Sequence, residues 1–222
     1  MSRHLLTTLI LILVLPFAHS CSDDSDDYII KPDPDAYRSL TLRDNVLFNL
    51  EKAWNERNID KYDQLLDEGF VFFFSVADVK NGDVSVSHWG RSTEIAVVGN
   101  MWDPNFSKPG QVPVSSINLA LTYAEGEDVW EEVVPDQDQY PGETWYSKVF
   151  RYTLTVEAGY FTYIGNNIQA TVIVRWADVD GEEFWRIVMW SDDTESQLQE
   201  SEGAPALTQD TTWGQIKTLF VD

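Results

Sequence analysis

The stretch Ala53-Trp54-Asn55-Glu56-Arg57-Asn58-Ile59-Asp60-Lys61-Tyr62, followed by Leu65-Leu66-Asp67 and Phe70-Val71-Phe72, decides how the chain is read. Leading into it, Leu42, Val46, Leu50, Ala53 and Trp54 recur at helical spacing and form one apolar stripe, which predicts a helix over 42–57. Thr41 offers a hydroxyl to the free amides at its start, and Asp44 places a negative charge at the positive end of the dipole. Asn58 supplies a C-terminal stop, and Asp60 a cap for a second helix over 60–67 that carries Leu65 and Leu66 before Gly69. The apolar run Phe70 to Val76 is too continuous for a strand with one wet face, so it is expected to be buried on both sides.

Working outward, Ala77 to Gly90 reads as a loop because of Asn81-Gly82, Ser85 and Ser87. A third helix is predicted over 92–103, burying Ile95, Val98 and Trp102 and stopping before Pro104. Beyond Pro113 the hydrophobic period changes to two. Ile117, Leu119, Leu121 and Tyr123 alternate with polar or small residues, and 129–134 is a second candidate strand. The longest strands are expected near 144–157, 167–177 and 184–192. In the first, Tyr146, Phe150, Tyr152, Leu154 and Val156 share a face; in the second, Ala170, Val172, Val174 and Trp176 do. Asp180-Gly181 is a two-residue hairpin signal between the last two. After a polar excursion from Asp192 to Asp210, Thr212 and Gln215 have capping-box spacing, and Trp213, Ile216, Leu219 and Phe220 give a short terminal helix one apolar stripe.

Helices first and long strands afterwards argue for an α+β fold with the helices on one face of a curved sheet. The residues quoted at the opening, together with the closing strand Phe184-Trp185-Arg186-Ile187-Val188-Met189-Trp190-Ser191-Asp192, resemble nuclear transport factor 2-like (SnoaL-like, cystatin-like) domains over about residues 40–193. Trp89-Gly90-Arg91 through Met101-Trp102, and Trp213-Gly214-Gln215-Ile216-Lys217, resemble uncharacterised bacterial lipoproteins of that group. The resemblance implies a cone: a strongly bent antiparallel sheet wrapped over N-terminal helices, with an open pocket. It implies no single activity, because the superfamily holds isomerases, dehydratases, epoxide hydrolases and cyclases beside members that only bind.

Composition narrows the partners. The 222 residues carry 37 Asp+Glu against 15 Lys+Arg, a formal net charge of -22 that repels nucleic acid and acidic substrates. Residues 1–20 hold no acid, carry Arg3 near the start and run apolar from Leu5 to Phe17, the pattern of a secretory signal and too short to span a bilayer. Cys21, the single cysteine of the chain, follows Ser20 directly and resembles the lipidated cysteine of bacterial lipoproteins, although Ala18 and His19 depart from the favoured residues. The competing reading is a soluble secreted protein cut after Ala18-His19-Ser20. Residues 21–38, rich in Asp and Pro, are expected to be an extended tether. The expected organisation is therefore signal (1–20), tether (21–38), domain (39–193), and the excursion with its terminal helix (194–222), packed back on the domain.

Catalytic members of the resembled family place a carboxylate, often with His or Tyr, in the apolar cavity, where burial raises its pKa. The candidates here are Asp78, His88 and Asp192. Against them, Asp78 also reads as a solvated loop aspartate, and His88 as a loop histidine beside a structural tryptophan. Tyr152, Trp176 and Trp190 are candidate ligand-lining residues, or core filling. Arg151, Arg175 and Arg186 form a basic row that cross-strand acids explain. No phosphate-cradling glycine loop, GxSxG elbow or HExxH motif is present, and no cofactor or metal is implied. The expectation is an exported protein, lipid-anchored to the bacterial cell envelope at the outer membrane, with a non-catalytic small-ligand-binding or interaction domain. The alternatives are a cofactor-free lyase or isomerase using a pocket carboxylate, and a protein-docking subunit. Expected partners are the membrane through Cys21, a small apolar ligand, and a second copy through the sheet face.

Overall fold

The computed structural model describes residues 36–106, 108, 113–123, 128–179, 181–193, 208–210 and 212–221. The expected signal, Cys21 and most of the expected tether lie outside the described residues, as do residues 194–207. The compact unit begins at Tyr37. Its elements in chain order are α1 (Asn45–Glu56), α2 (Ile59–Leu65), β1 (Leu66–Phe73), α3 (Val76–Asn81), β2 (His88–Gly90), α4 (Arg91–Trp102), β3 (Val114–Thr122), β4 (Glu131–Val133), β5 (Trp145–Ala158), β6 (Phe161–Val179), β7 (Glu182–Asp192), β8 (Thr208–Asp210) and α5 (Trp213–Thr218). The main sheet runs β2-β1-β7-β6-β5-β3, with β4 on β5 and β8 on β6. This is an α+β fold, a curled, unclosed sheet with α1 and α2 preceding its first strand. It differs from the expected antiparallel sheet in being mixed, because β1 runs parallel to β7 and β8 parallel to β6.

The opening motif has a physical reason at each position. Trp54 is buried and meets Tyr62, Trp102 and Trp213 edge-on, with centroids 5.6, 5.1 and 4.6 Å away. Asn55 clips α1 to the edge strand β3 by donating to the Leu119 carbonyl and accepting from its amide, at 2.9 and 2.7 Å. Arg57 ends α1 in the left-handed region, φ 53°, which costs a non-glycine residue roughly 1–2 kcal/mol. Its guanidinium offsets this by donating to the carbonyls of Val114 and Ser115 at 3.3 and 2.7 Å. Edge-strand groups that would otherwise offer themselves to another chain are thereby used.

Several boundaries move for local reasons. Thr41 does not cap α1: its hydroxyl bonds that of Ser39, the helix starts at Asn45, and Asp44 instead accepts the Trp130 indole at 2.6 Å. Asn58, not Asp60, caps α2, accepting from the Lys61 amide at 3.1 Å. The strand expected to be buried on both sides alternates, Phe70 and Phe72 buried while Phe73 is exposed, because helices cover only one face of the sheet. Val76 leaves that strand and opens α3 inside the expected loop, Ser75 capping it through the Asp78 amide. In α4 the buried positions are Glu94, Val97, Val98, Met101 and Trp102, with Ile95 only half-buried. Trp176 breaks the alternation of β6: it is 37% exposed and packs edge-on against Trp185. β6 and β7 form the expected hairpin, with Val179 opposite Glu182 and Gly181 at φ 84°.

Candidate functional site

Within the curled sheet, β1, β2, β5 and β7 turn Phe72, Trp89, Phe150, Tyr152 and Trp190 inward, and Phe74, just past the end of β1, joins them. Into this aromatic lining goes α5. Its capping box is complete, the Thr212 hydroxyl accepting the Gln215 amide at 3.1 Å and the Gln215 side chain accepting the Thr212 amide at 3.2 Å. The helix then buries Trp213, Ile216, Lys217 and, just past its end, Phe220. Gly214 makes this approach possible, since a Cβ there would stand 2.8 Å from both Asp78 Oδ2 and Phe74 Cδ1. The terminal helix thus fills the space between the sheet and α1, with Trp213 on Trp54 and Lys217 on Phe72, rather than resting on the outside.

Lys217 is the unexpected member of the stripe. It is fully enclosed, and its Nζ donates to both oxygens of the equally enclosed Glu94, at 2.8 and 2.6 Å. The same carboxylate accepts the Tyr62 hydroxyl at 2.6 Å and the Trp89 indole at 2.7 Å, so its charge is met by charge-assisted donors on both oxygens. The ammonium also lies 3.3 Å from the Phe72 ring centroid, 4.6 Å from Trp213, 5.6 Å from Trp89 and 5.7 Å from Trp190. Burial pushes the Lys217 amine down to about 8, against the opposing pull of Glu94 and Asp192. Burial likewise holds the Tyr62 hydroxyl well above its usual range, with the Glu94 charge adding to it.

Among the candidates from the sequence, Tyr152, Trp190, Asp192 and Asp78 are brought into or against this interior. Asp192 is 2% exposed where β7 ends. Burial first, and then the charges of Asp192, Asp78 and Asp193, keep the Tyr152 hydroxyl well above its ordinary value. That hydroxyl and the indole nitrogens of Trp190 and Trp213 have no hydrogen-bond partner among the described residues. Asp78 is buried on α3, not solvated in a loop. It accepts the Thr212 hydroxyl at 2.7 Å, and burial raises its carboxyl. His88 is exposed on the edge strand β2, bonded to the Ser87 hydroxyl and leaning on Phe73, far in role from any enclosed acid. Trp176 stays with Trp185, outside the group around Lys217.

The basic row is dispersed: Arg175 pairs with Asp67 and Glu143, Arg186 donates to the Leu66 carbonyl, and Arg151 to Gln169. A second concavity, a groove of about 670 Å³ between α2, β1, β2 and the start of α4, is lined by Asp63, Phe70, Arg91 and Ile95. Two of its charged groups pair with each other, Arg91 reaching Asp63 at 2.6 Å.

Glu94 and Lys217 were missed by sequence reasoning, yet each left a trace. Glu94 precedes Val97, Val98 and Met101 on the apolar side of α4, and Lys217 is four residues after Trp213 and next to Ile216. A charged residue within an apolar stripe is the sign that could have marked both.

No family profile matches the chain, and no curated protein matches it significantly. Among solved structures, a candidate aromatic ring hydroxylase from Novosphingobium aromaticivorans aligns at 11% identity and TM-score 0.47, over 71% of this chain and 90% of its own. An NTF2-like protein of unknown function in nutrient uptake from Rhodospirillum rubrum aligns at 16% identity and TM-score 0.39, over 67% and 94%. An NTF2-like protein from Cytophaga hutchinsonii aligns at 13% identity and TM-score 0.37, over 68% and 97%. Alignments this loose say nothing of activity.

Proposed function

We propose that this is an exported protein, held at the bacterial cell envelope by a lipid on Cys21, whose cone-shaped domain works as a non-catalytic interaction module. The observation that carries the non-catalytic reading is Lys217 seated on Glu94. The carboxylate that would be the natural base of an open cone is neutralised by the chain itself, and the space before it is filled by α5. The rival reading, a cofactor-free lyase or isomerase using a pocket carboxylate such as Asp78 or Asp192, needs a carboxylate with room for a substrate, and Asp78, Asp192 and Glu94 are all buried in the packed interior.

The outer face of the sheet supports self-association. Ser147, Ile173, Met189 and Val71 stand in one cross-strand row, and Val149, Thr171, Ser191 and Phe73 in the next. Neither row itself holds a charged residue, on a chain of net charge -22, and the carboxylate beside them, Asp193, accepts the Thr171 and Ser191 hydroxyls. Sedimentation of the mature chain at physiological salt is expected to show a dimer, and Ile173→Asp a monomer. Membrane fractionation is expected to find the wild type with the lipid and Cys21→Ser in the soluble fraction. Monomers throughout, equal recovery of both forms as soluble protein, or turnover of a small hydrophobic substrate that Asp192→Asn abolishes would overturn the proposal.

A further inference from the structure

The surroundings of the Lys217 ammonium are those of a recognition site for a cation. Without α5, what remains is the faces of Phe72, Trp89 and Trp190, from β1, β2 and β7, around the Glu94 carboxylate from α4. That carboxylate is aimed by the Tyr62 hydroxyl and the Trp89 indole, so its orientation does not depend on Lys217. Aromatic faces attract a cation through their quadrupoles, and a desolvated carboxylate adds charge-assisted hydrogen bonds. Both carboxylate oxygens take an N–H from the same nitrogen, a geometry that a primary ammonium satisfies and a quaternary one cannot.

Packing alone gives no reason for this choice of side chain. An apolar residue of similar size, facing an apolar partner, would in general be as stable as a buried ion pair or more so. The Tyr152 hydroxyl and the Trp190 indole, buried with no partner among the described residues, leave polar capacity close to the same rings. The helix that brings the ammonium is a single short one of six residues.

We propose that this cage is a binding site for primary alkylammonium compounds, that Lys217 occupies it as the chain's own ligand, and that α5 is the segment an outside amine displaces. The proposal rests on the closed interior of the preceding section but not on Cys21 or on dimer formation, so sedimentation and fractionation can fail without touching it.

The test uses the full mature chain with Lys217→Ala, which removes three methylenes and the ammonium, and adds n-propylammonium, 1-propanol or tetramethylammonium. Expected is a saturable rise in melting temperature with n-propylammonium alone, roughly 5–10 °C at a hundred times its Kd. Adding Glu94→Gln should abolish it. An equal rise with 1-propanol, no rise at all, or a rise that survives Glu94→Gln would overturn the proposal. A second arm needs no variant: hydrogen exchange of the wild type in saturating n-propylammonium. Amides over 213–220 should exchange faster while those of β5 and β6 stay protected; unchanged exchange would refute displacement.

Discussion

The ammonium of Lys217 and the carboxylate of Glu94, 123 positions apart in the chain, meet at 2.6 Å with neither side chain exposed to solvent. Removing one partner of such a pair leaves an uncompensated charge in the interior, at a cost of about 3–5 kcal/mol. Glu94→Gln and Lys217→Met are each expected to lose that much in urea unfolding. The double variant should lose clearly less than the sum, a coupling on the order of 2 kcal/mol. Additive losses would show that the two groups do not depend on each other.

The same pair sets a pH dependence above neutrality. Burial lowers the Lys217 amine from its ordinary 10.5 to about 8 in the folded chain. Between those values the unfolded chain holds more protons than the folded one, so stability rises with pH across that window. Relative to Lys217→Met, the wild type should therefore gain up to ~1.4 kcal/mol per pH unit between about pH 8 and 10. Unfolding both proteins at several pH values in that range checks the sign; a flat difference would mean the amine keeps its ordinary value.

Two glycines separate backbone need from packing need. Gly214→Ala would drive a Cβ to 2.8 Å from Asp78 Oδ2 and Phe74 Cδ1, and should destabilise by about 1–3 kcal/mol while loosening α5. Gly99, inside α4 with nothing within 4 Å of an added Cβ, should tolerate Ala and gain about 0.5–1 kcal/mol. Thermal unfolding of the two variants checks this: a Gly214→Ala melting temperature equal to the wild type would contradict the close approach of α5 to Asp78 and Phe74.

Trp190 and His88 mark opposite ends of the burial scale. Trp190 is packed against Phe72, Phe150 and Tyr152 with centroids 6.1, 5.9 and 6.1 Å away, so Trp190→Ala should cost about 3–5 kcal/mol. His88→Ala, on an exposed edge strand, should change stability by less than about 0.5 kcal/mol. A large loss at His88 would reassign it from the surface to the structure.

What the sequence determined by itself was whatever is written within a few residues. The period-two alternation of β5, the two-residue turn after Val179, and the capping box of Thr212 and Gln215 depend on neighbours less than one or two turns away, and each was legible. The motif around Trp54 was legible as a pattern, but the work of Asn55 and Arg57 was not. Their partners are the carbonyls and amide of Leu119, Val114 and Ser115, about sixty residues on. Only the tertiary structure decided that β1 lies parallel to β7, that Trp176 stays at the surface, and that Asp78 is enclosed. Only it put Lys217 on Glu94, because a charge in an apolar stripe is a liability or a partner according to what the rest of the chain sets opposite it. Periodicity and capping are local energies that a short segment carries with it; the neutralisation of a buried charge exists only once distant segments have closed around it.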